Sequence, residues 1–155
     1  MHFNPAKVSL MAFAILFKMH SAHCDLLSKD HFLSNVIQIN FLYTGLTYTD
    51  KTDENKQKTE ENEIVKITGF TDSVYAQAPD VVTLTTTDDM PKIKLSKSGL
   101  KDFVVWNPYE NAAKMSDMHE DAHLEFVCVE ATQTSNPVIL TSGQTWEACH
   151  SIEIL

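Results

Sequence analysis

Short runs of apolar and β-branched residues, separated by glycine, proline or aspartate, recur along most of this chain. In one of them Ile93 and Leu95 alternate with Lys92, Lys94 and Ser96, which is the period of a half-buried strand. Runs of this composition between turn residues predict strands. We predict one or two strands in residues 32–48, and further strands in residues 64–67, 73–77, 81–87, 92–96, 103–106, 124–131, 137–140 and 144–154.

Two segments depart from the strand pattern. Residues 50–63 are polar or charged throughout and contain no apolar side chain, which predicts an exposed loop. Residues 111–118 include Ala112, Ala113 and Met115 and predict one short helix. Many short strands, frequent turns and a single short helix indicate an all-β fold of the β-sandwich type.

The length and charge of the chain narrow the class of function. Its 155 residues fit one domain, and 43% apolar with 21% charged residues is ordinary for a globular protein. A net charge of -9 argues against nucleic acid as a partner. All 12 basic residues other than histidine are lysines, so an anion site in this chain must use lysine, histidine or backbone amides.

The cysteines and the first residues bear on the compartment. Cys24, Cys128 and Cys149 lack metal-ligand or disulfide spacing, which favours free thiols in a reducing cytoplasm. The apolar run in residues 8–17 has the length of a signal-peptide core but is too short to span a membrane. We interpret residues 1–24 as an apolar segment of a soluble protein, with a signal peptide as the alternative.

Three groups of side chains are candidates for chemistry. Glu130 alternates with Val129 and shares a strand face with Cys128, so it is either a general base or a solvated surface charge. Asp72 follows a glycine turn, where aspartate usually bonds backbone amides, and a ligand role is the alternative. His119 and His123 have the spacing of metal ligands on a helix but also suit a polar loop, and we predict no metal site.

Four blocks of sequence resemble the hexose-6-phosphate mutarotases, or glucose-6-phosphate 1-epimerases, of the aldose 1-epimerase superfamily. The blocks follow one another in the same order as in that family, and the resemblance covers residues 35–155. They are Gly45-Leu46-Thr47-Tyr48-Thr49-Asp50-Lys51, Thr68-Gly69-Phe70-Thr71-Asp72-Ser73-Val74-Tyr75, Val104-Val105-Trp106-Asn107-Pro108 with Lys114 and Asp117, and Val127-Cys128-Val129-Glu130-Ala131.

The resemblance implies a partial galactose-mutarotase-like β-supersandwich in residues 35–155, preceded by a divergent segment in residues 1–34. It also implies interconversion of the α and β anomers of a hexose 6-phosphate, or of another aldohexose, by acid/base opening of the ring. Glu130 matches the family's base and Asp72 its sugar-binding aspartate. The reaction in the family uses no metal and no organic cofactor.

The chain also departs from the family pattern. The family's acid lies in a His-Thr-Tyr-Phe block, at a position where this chain has Ser28, with His31 nearby in different flanks. Ser73 stands where the family often has arginine, and the family's other phosphate-binding arginines come from an N-terminal half that has no counterpart here. We therefore expect a truncated member with little activity. The alternatives are a sugar-binding remnant without turnover, or an unstable fragment that self-associates through an uncovered sheet face.

Overall fold

The computed structural model describes residues 6–8, 38–41, 44–85, 93–119, 121–124 and 126–155. Within these ranges the chain forms twelve strands and two 3-10 helices. In chain order these are β1 (Ala6–Val8), β2 (Gln38–Asn40), β3 (Leu46–Asp50), β4 (Lys56–Glu60), β5 (Ile64–Val65), β6 (Thr71–Tyr75), β7 (Val81–Thr85), β8 (Ile93–Ser98), β9 (Asp102–Asn107), the 3-10 helices Tyr109–Lys114 and Ala122–Leu124, β10 (Cys128–Thr132), β11 (Val138–Leu140) and β12 (Cys149–Ile154).

The strands form two antiparallel five-stranded sheets and one separate strand pair. Sheet one has the order β10-β9-β6-β3-β4, and sheet two has the order β12-β8-β7-β2-β5. The separate pair joins β1 to β11. The all-β prediction is confirmed, and it follows from the short β-branched runs and the turn residues between them.

The hydrophobic core lies between the two sheets. Sheet two contributes Ile39, Val82 and Leu95, each less than 1% exposed, and sheet one contributes Phe103 and Val105. Phe41 lies between the layers, with its ring centroid 4.6 Å from that of Tyr75 and 6.1 Å from that of Phe103. The alternation of buried and less buried residues in β2, β7 and β8 therefore fits a sandwich, in which these strands of sheet two bury one face against sheet one.

The register of sheet one decides which side chains leave the core. Residues directly opposite each other in antiparallel strands share a face. Tyr75, Phe103 and Ala131 are opposite one another across β6, β9 and β10, and all three point into the core. The opposite face of sheet one, which we call the outer face, therefore carries the residues at alternate positions of these strands.

The prediction of an exposed loop in residues 50–63 is wrong for its second half. Residues 51–55 form a turn, but Lys56–Glu60 is strand β4 at the edge of sheet one, paired with β3. A strand at a sheet edge can carry polar side chains on both faces because its backbone pairing, not a buried face, holds it in place. Here Lys58 Nζ lies 2.7 Å from Asp50 Oδ2 and 3.0 Å from Asp53 Oδ2.

Each of the other predicted strands overlaps an observed strand, with shifted ends, although residues 32–37, 42–43, 86–87, 92 and 125 lie outside the described residues. Leu124 and residues 144–148 were predicted to be in strands and are not. The predicted helix in residues 111–118 is the 3-10 helix Tyr109–Lys114, which begins after Pro108. Gly45 lies between β2 and β3 with φ +85°, a conformation that glycine adopts without strain. Cys128 and Cys149 are free thiols. Cys24 and the apolar run in residues 8–17 lie outside the described residues, apart from Val8 in β1.

No helix in the described ranges is both long enough and apolar enough to cross a membrane.

Candidate active site

Glu130 lies in the middle of β10, on the outer face of sheet one. It is opposite Val104 of β9, which in turn is opposite Val74 of β6. Both valines are buried, with 6% and 7% exposure, and Glu130 itself is partly buried. Glu130 therefore lies beside an apolar patch of the outer face and is neither fully buried nor fully exposed.

Asp72 lies inside strand β6 and is not a turn residue, which corrects the more conservative interpretation of its position. Gly69 lies at a bend two residues before β6, and Asp72, the second residue of that strand, pairs with Trp106 of β9. Its side chain is 26% exposed and points to the outer face. Since Glu130 uses the same face of a strand two places away, the fold brings the two predicted site residues to one surface.

Lys51 completes a row of side chains across the outer face. Cys128, Trp106 and Asp72 are successive neighbours across β10, β9 and β6. The backbone N–H of Lys51 donates to the carbonyl oxygen of Asp72 at 2.9 Å, which continues the pairing of β3 with β6 by one residue. The Nζ atom of Lys51 lies 3.8 Å from Asp72 Oδ1.

The loop between β9 and β10 forms a wall at one end of the outer face. Ala112, Ala122 and Phe126 of this loop are buried in one cluster with Cys128, and Trp106 packs against that cluster. The apolar side chains of the loop therefore cover the Cys128 end of the row. The Asp72 and Lys51 end is left more open.

Asn107 holds this wall in place. Its Nδ2 donates to the carbonyl oxygens of His123 at 3.0 Å and Phe126 at 2.7 Å, and its Oδ1 accepts from the N–H of Tyr109 at 2.8 Å. The side chain is fully buried. An amide both donates and accepts, so Asn107 can fasten both ends of the loop to the end of β9.

Charged groups on the outer face shift the pKa of Glu130, which lies next to the row on β10. Burial raises the pKa of the Glu130 carboxyl above its ordinary value, the negative charge of Asp72 raises it further, and the positive charge of Lys51 lowers it. Burial, followed by the charge of Glu130, raises the pKa of the Cys128 thiol to about 12. Glu130 is thus a carboxylate that holds a proton more readily than a solvated glutamate, which suits a general acid/base.

The two histidines predicted as weak metal candidates do not share a helical face. His119 is exposed, whereas His123 is buried in the 3-10 helix Ala122–Leu124. The ring of His123 packs against Tyr109 with 5.1 Å between centroids, and its Nδ1 has no hydrogen-bond partner. No group of three or more His, Cys, Asp and Glu side chains suited to a metal ion occurs in the described part of the chain.

Several residues of the site were not assigned a role from sequence, although the motifs contained them. Lys51, Trp106 and Asn107 stand in the quoted blocks, and strand alternation carried through Thr47, Thr49 and Lys51 would have put Lys51 on a polar face. No sequence pattern predicts the wall that Asn107 holds, because the wall depends on hydrogen bonds between residues that are distant along the chain. Ser28 and His31, considered for the position of the acid, lie outside the described residues.

Comparison with known proteins gives the sequence relationship. The profile of the aldose 1-epimerase family matches residues 27–153. A protein of Cenchrus ciliaris named "Putative glucose-6-phosphate 1-epimerase" is 29% identical over 119 residues, which are 74% of this chain and 36% of that protein.

Solved structures give the fold relationship. A "putative mutarotase" of Salmonella typhimurium aligns with 79% of this chain at a TM-score of 0.70 and 23% identity, and the protein HI1317 aligns with 98% at 0.68 and 16%. This chain covers 41% and 46% of those two chains. It therefore spans less than half the length of the relatives it matches. Because the family profile matches most of its residues, this chain belongs to the aldose 1-epimerase family.

Proposed function

We propose that this chain binds an aldohexose 6-phosphate and interconverts its α and β anomers, with Glu130 as the general base and Asp72 as a ligand of the sugar hydroxyls. One observation carries the proposal: Glu130 and Asp72 come from separate strands, share one face, and interact electrostatically. Membership of the aldose 1-epimerase family supports the reaction type. The name of the Cenchrus ciliaris protein supports the 6-phosphate form of the sugar.

The reaction requires a proton to leave one oxygen and another to reach a second oxygen. A base removes the proton of the anomeric hydroxyl while an acid protonates the ring oxygen, and the C1–O5 bond breaks to give the open aldehyde. Rotation about the C1–C2 bond followed by reclosure gives the other anomer. The pKa of Glu130 is raised, and a carboxylate becomes a more effective general base as its pKa approaches the pH at which it works.

Trp106 supports a sugar as the ligand. Its side chain is partly buried between Asp72 and Cys128 on the outer face, and its ring leans against Phe126 with 6.0 Å between centroids. The indole offers an apolar surface for the C–H face of a pyranose, and the neighbouring Asp72 carboxylate accepts hydrogen bonds from the sugar hydroxyls. The same arrangement serves a sugar-binding protein without turnover, which is the second candidate function.

The acid for the ring oxygen is not identified among the described residues. A site that lacks a general acid is slower by a factor of about 100 to 10,000, and Ser28 at the position of the family's acid therefore leads us to expect slow anomer exchange. We expect the protein to act in the cytoplasm, a reducing compartment in which free thiols such as Cys128 and Cys149 persist.

Saturation-transfer NMR on glucose 6-phosphate, combined with calorimetric titration, tests the proposal. Glu130→Gln keeps the shape of the side chain and removes the base, so exchange should fall to the spontaneous rate while sugar affinity changes by less than about fivefold. Asp72→Asn should weaken sugar binding, because an uncharged amide is a poorer partner for hydroxyl groups. The matched control is Glu153→Gln, a carboxylate on β12 of sheet two, which should leave both quantities unchanged.

Equal exchange rates for the wild-type protein and Glu130→Gln would refute the assignment of the base. Binding that depends on Asp72, without exchange above the spontaneous rate, would establish the sugar-binding function instead. Absence of measurable heat with both hexoses and hexose 6-phosphates would exclude both candidate functions.

A further inference from the structure

Lys51 carries a positive charge at the open end of the outer face. It follows β3 directly, its side chain is 39% exposed, and its Nζ lies 3.8 Å from Asp72 Oδ1. The turn after it is ordered, because Asp50 Oδ1 accepts from the N–H of Thr52 at 2.9 Å and from its hydroxyl at 2.6 Å. Lys51 is therefore held at the site by its backbone, while its ammonium group remains in contact with solvent.

The ammonium of Lys51 lies farther from its side-chain partner than the ammonium groups of two other lysines lie from theirs. Lys58 has almost the same exposure but points to the opposite face of sheet one, where it lies 2.7 Å from Asp50 Oδ2 and 3.0 Å from Asp53 Oδ2. Lys114 donates to Asn111 Oδ1 at 3.0 Å. The 3.8 Å between Lys51 Nζ and Asp72 Oδ1 is longer than a hydrogen bond, so the three N–H groups of Lys51 can donate to a further anionic partner.

The site needs such a cation if its ligand is a phosphate ester. Glu130 and Asp72 are both carboxylates, and a sugar phosphate adds a charge of about -1.5 to -2 at neutral pH. The chain as a whole has a net charge of -9 and contains no arginine. Lysine binds phosphate as a point charge, and Lys51 already acts electrostatically on Glu130.

The spacing of the strands matches the separation that the ligand requires. Glu130 on β10 and Lys51 beyond β3 are three strand spacings apart, about 14 Å between backbones, and their long side chains bridge part of that distance. In a hexose 6-phosphate the ring oxygen and C5 separate the anomeric carbon from C6, so the base and the phosphate partner must stand at opposite ends of the sugar. Asp72 lies between them.

From this arrangement we infer that Lys51 binds the phosphate of an aldohexose 6-phosphate and determines the preference of the site for the phosphorylated over the unphosphorylated sugar. This inference rests on the proposed function. The anomeric carbon lies at Glu130, the ring hydroxyls contact Asp72, and the phosphate reaches the ammonium of Lys51. Lys51 is a specificity-determining residue and takes no part in the proton transfers.

The test is the ratio of kcat/KM for glucose 6-phosphate to kcat/KM for glucose. In Lys51→Met this ratio should fall about 10- to 100-fold, because a charge-assisted contact with phosphate is lost. Lys51→Arg should retain most of the preference, since it restores the charge. The matched control is Lys94→Met: Lys94 is also a strand lysine with 39% exposure and a carboxylate partner, but it belongs to sheet two, so its ratio should equal that of the wild-type protein.

Two results would overturn the inference. An unchanged ratio in Lys51→Met would mean that Lys51 does not contact the phosphate. An equal loss with both sugars would mean that Lys51 acts only through Asp72 and Glu130. If the wild-type protein exchanges neither sugar, the proposed turnover fails, and calorimetry of the same variants decides the inference separately. Weaker binding of glucose 6-phosphate by Lys51→Met than by Lys94→Met would support it, whereas no binding by the wild-type protein would refute it.

Discussion

At the scale of the residue, ionised Glu130 should lower the free energy of unfolding of the protein. Its pKa is raised in the folded state by burial and by Asp72, so ionising Glu130 is less favourable there than in the unfolded chain. The stability associated with its protonated form is complete below the ordinary glutamate pKa of about 4.3 and is lost as the pH rises through the folded-state pKa.

Glu130→Gln should therefore be more stable than the wild-type protein at pH 7, and the difference should shrink as the pH falls through the raised folded-state pKa of Glu130, reaching its smallest value below about 4.3. Urea unfolding of both proteins between pH 3 and pH 8 measures this. A constant difference across the range would show that Glu130 does not titrate abnormally.

Cys128 provides a second prediction for single residues. A thiol with a pKa of about 12 carries almost no thiolate at pH 8, and Cys128 is also buried, whereas Cys149 is exposed. We expect iodoacetamide at pH 8 to alkylate Cys149 at least about tenfold faster than Cys128 in the folded protein, and both at similar rates in urea. Peptide mass spectrometry reports each site separately. Equal rates in the folded protein would contradict the burial of Cys128.

At the scale of the element, the sequence predicted the strands whose side chains alternate and missed the strand that has no apolar residue. β8 alternates Ile93 and Leu95 with polar neighbours and was predicted within two residues of its ends. Strand β4 was missed because its stability comes from backbone pairing with β3, which leaves no hydrophobic period. Asp72 was open to interpretation as a turn residue because glycine three positions earlier suggested a turn, and only the pairing with Trp106 puts it in a strand.

The wall between β9 and β10 depends on the amide of Asn107. In Asn107→Asp the carbonyl oxygens of His123 and Phe126 lose their donor and face a carboxylate, so the free energy of unfolding should fall by about 2–4 kcal/mol. Chemical denaturation measures the change. The exposed Asn136→Asp is the control, and it should alter stability by less than about 0.5 kcal/mol. A similar small change in both variants would show that Asn107 does not fasten the loop.

At the scale of the whole molecule, sheet two ends in an apolar edge. Ile152 and Ile154 of β12 are opposite Leu95 and Ile93, so they point to the core side, yet they are 56% and 72% exposed. Exposed apolar side chains on an edge strand favour association with other chains. We expect the predicted self-association, if it occurs, to use this edge.

Replacing Ile154 by lysine should abolish concentration-dependent association in sedimentation velocity between about 5 and 200 μM, because a charge on a sheet edge disfavours pairing. The control Ile139→Lys changes an isoleucine that is 58% exposed on β11, outside both five-stranded sheets. A monomeric wild-type protein throughout this range would refute self-association through β12.

The sequence indicated which residues belong to the candidate site, but it did not indicate which of them are in contact. Glu130 and Asp72 were identified from short motifs, and the alternation in β10 correctly put Glu130 on the same face as Cys128. The contact between Lys51 and Asp72 joins residues that are distant along the chain, and it depends on the register of β3 against β6. Sequence periodicity fixes a face within one strand, but it does not fix which residues of two strands are opposite each other.

That register has a consequence for how this protein can change during evolution. Substitutions around the outer face leave the row from Cys128 to Lys51 aligned, because backbone pairing maintains it. An inserted or deleted codon within β6 would shift the strand by one residue and turn Asp72 towards the core side. The turn in residues 51–55 lies beyond the row and can change length without this effect. Descendants that keep this row should therefore vary in length at turns and stay constant in length within β6, β9 and β10.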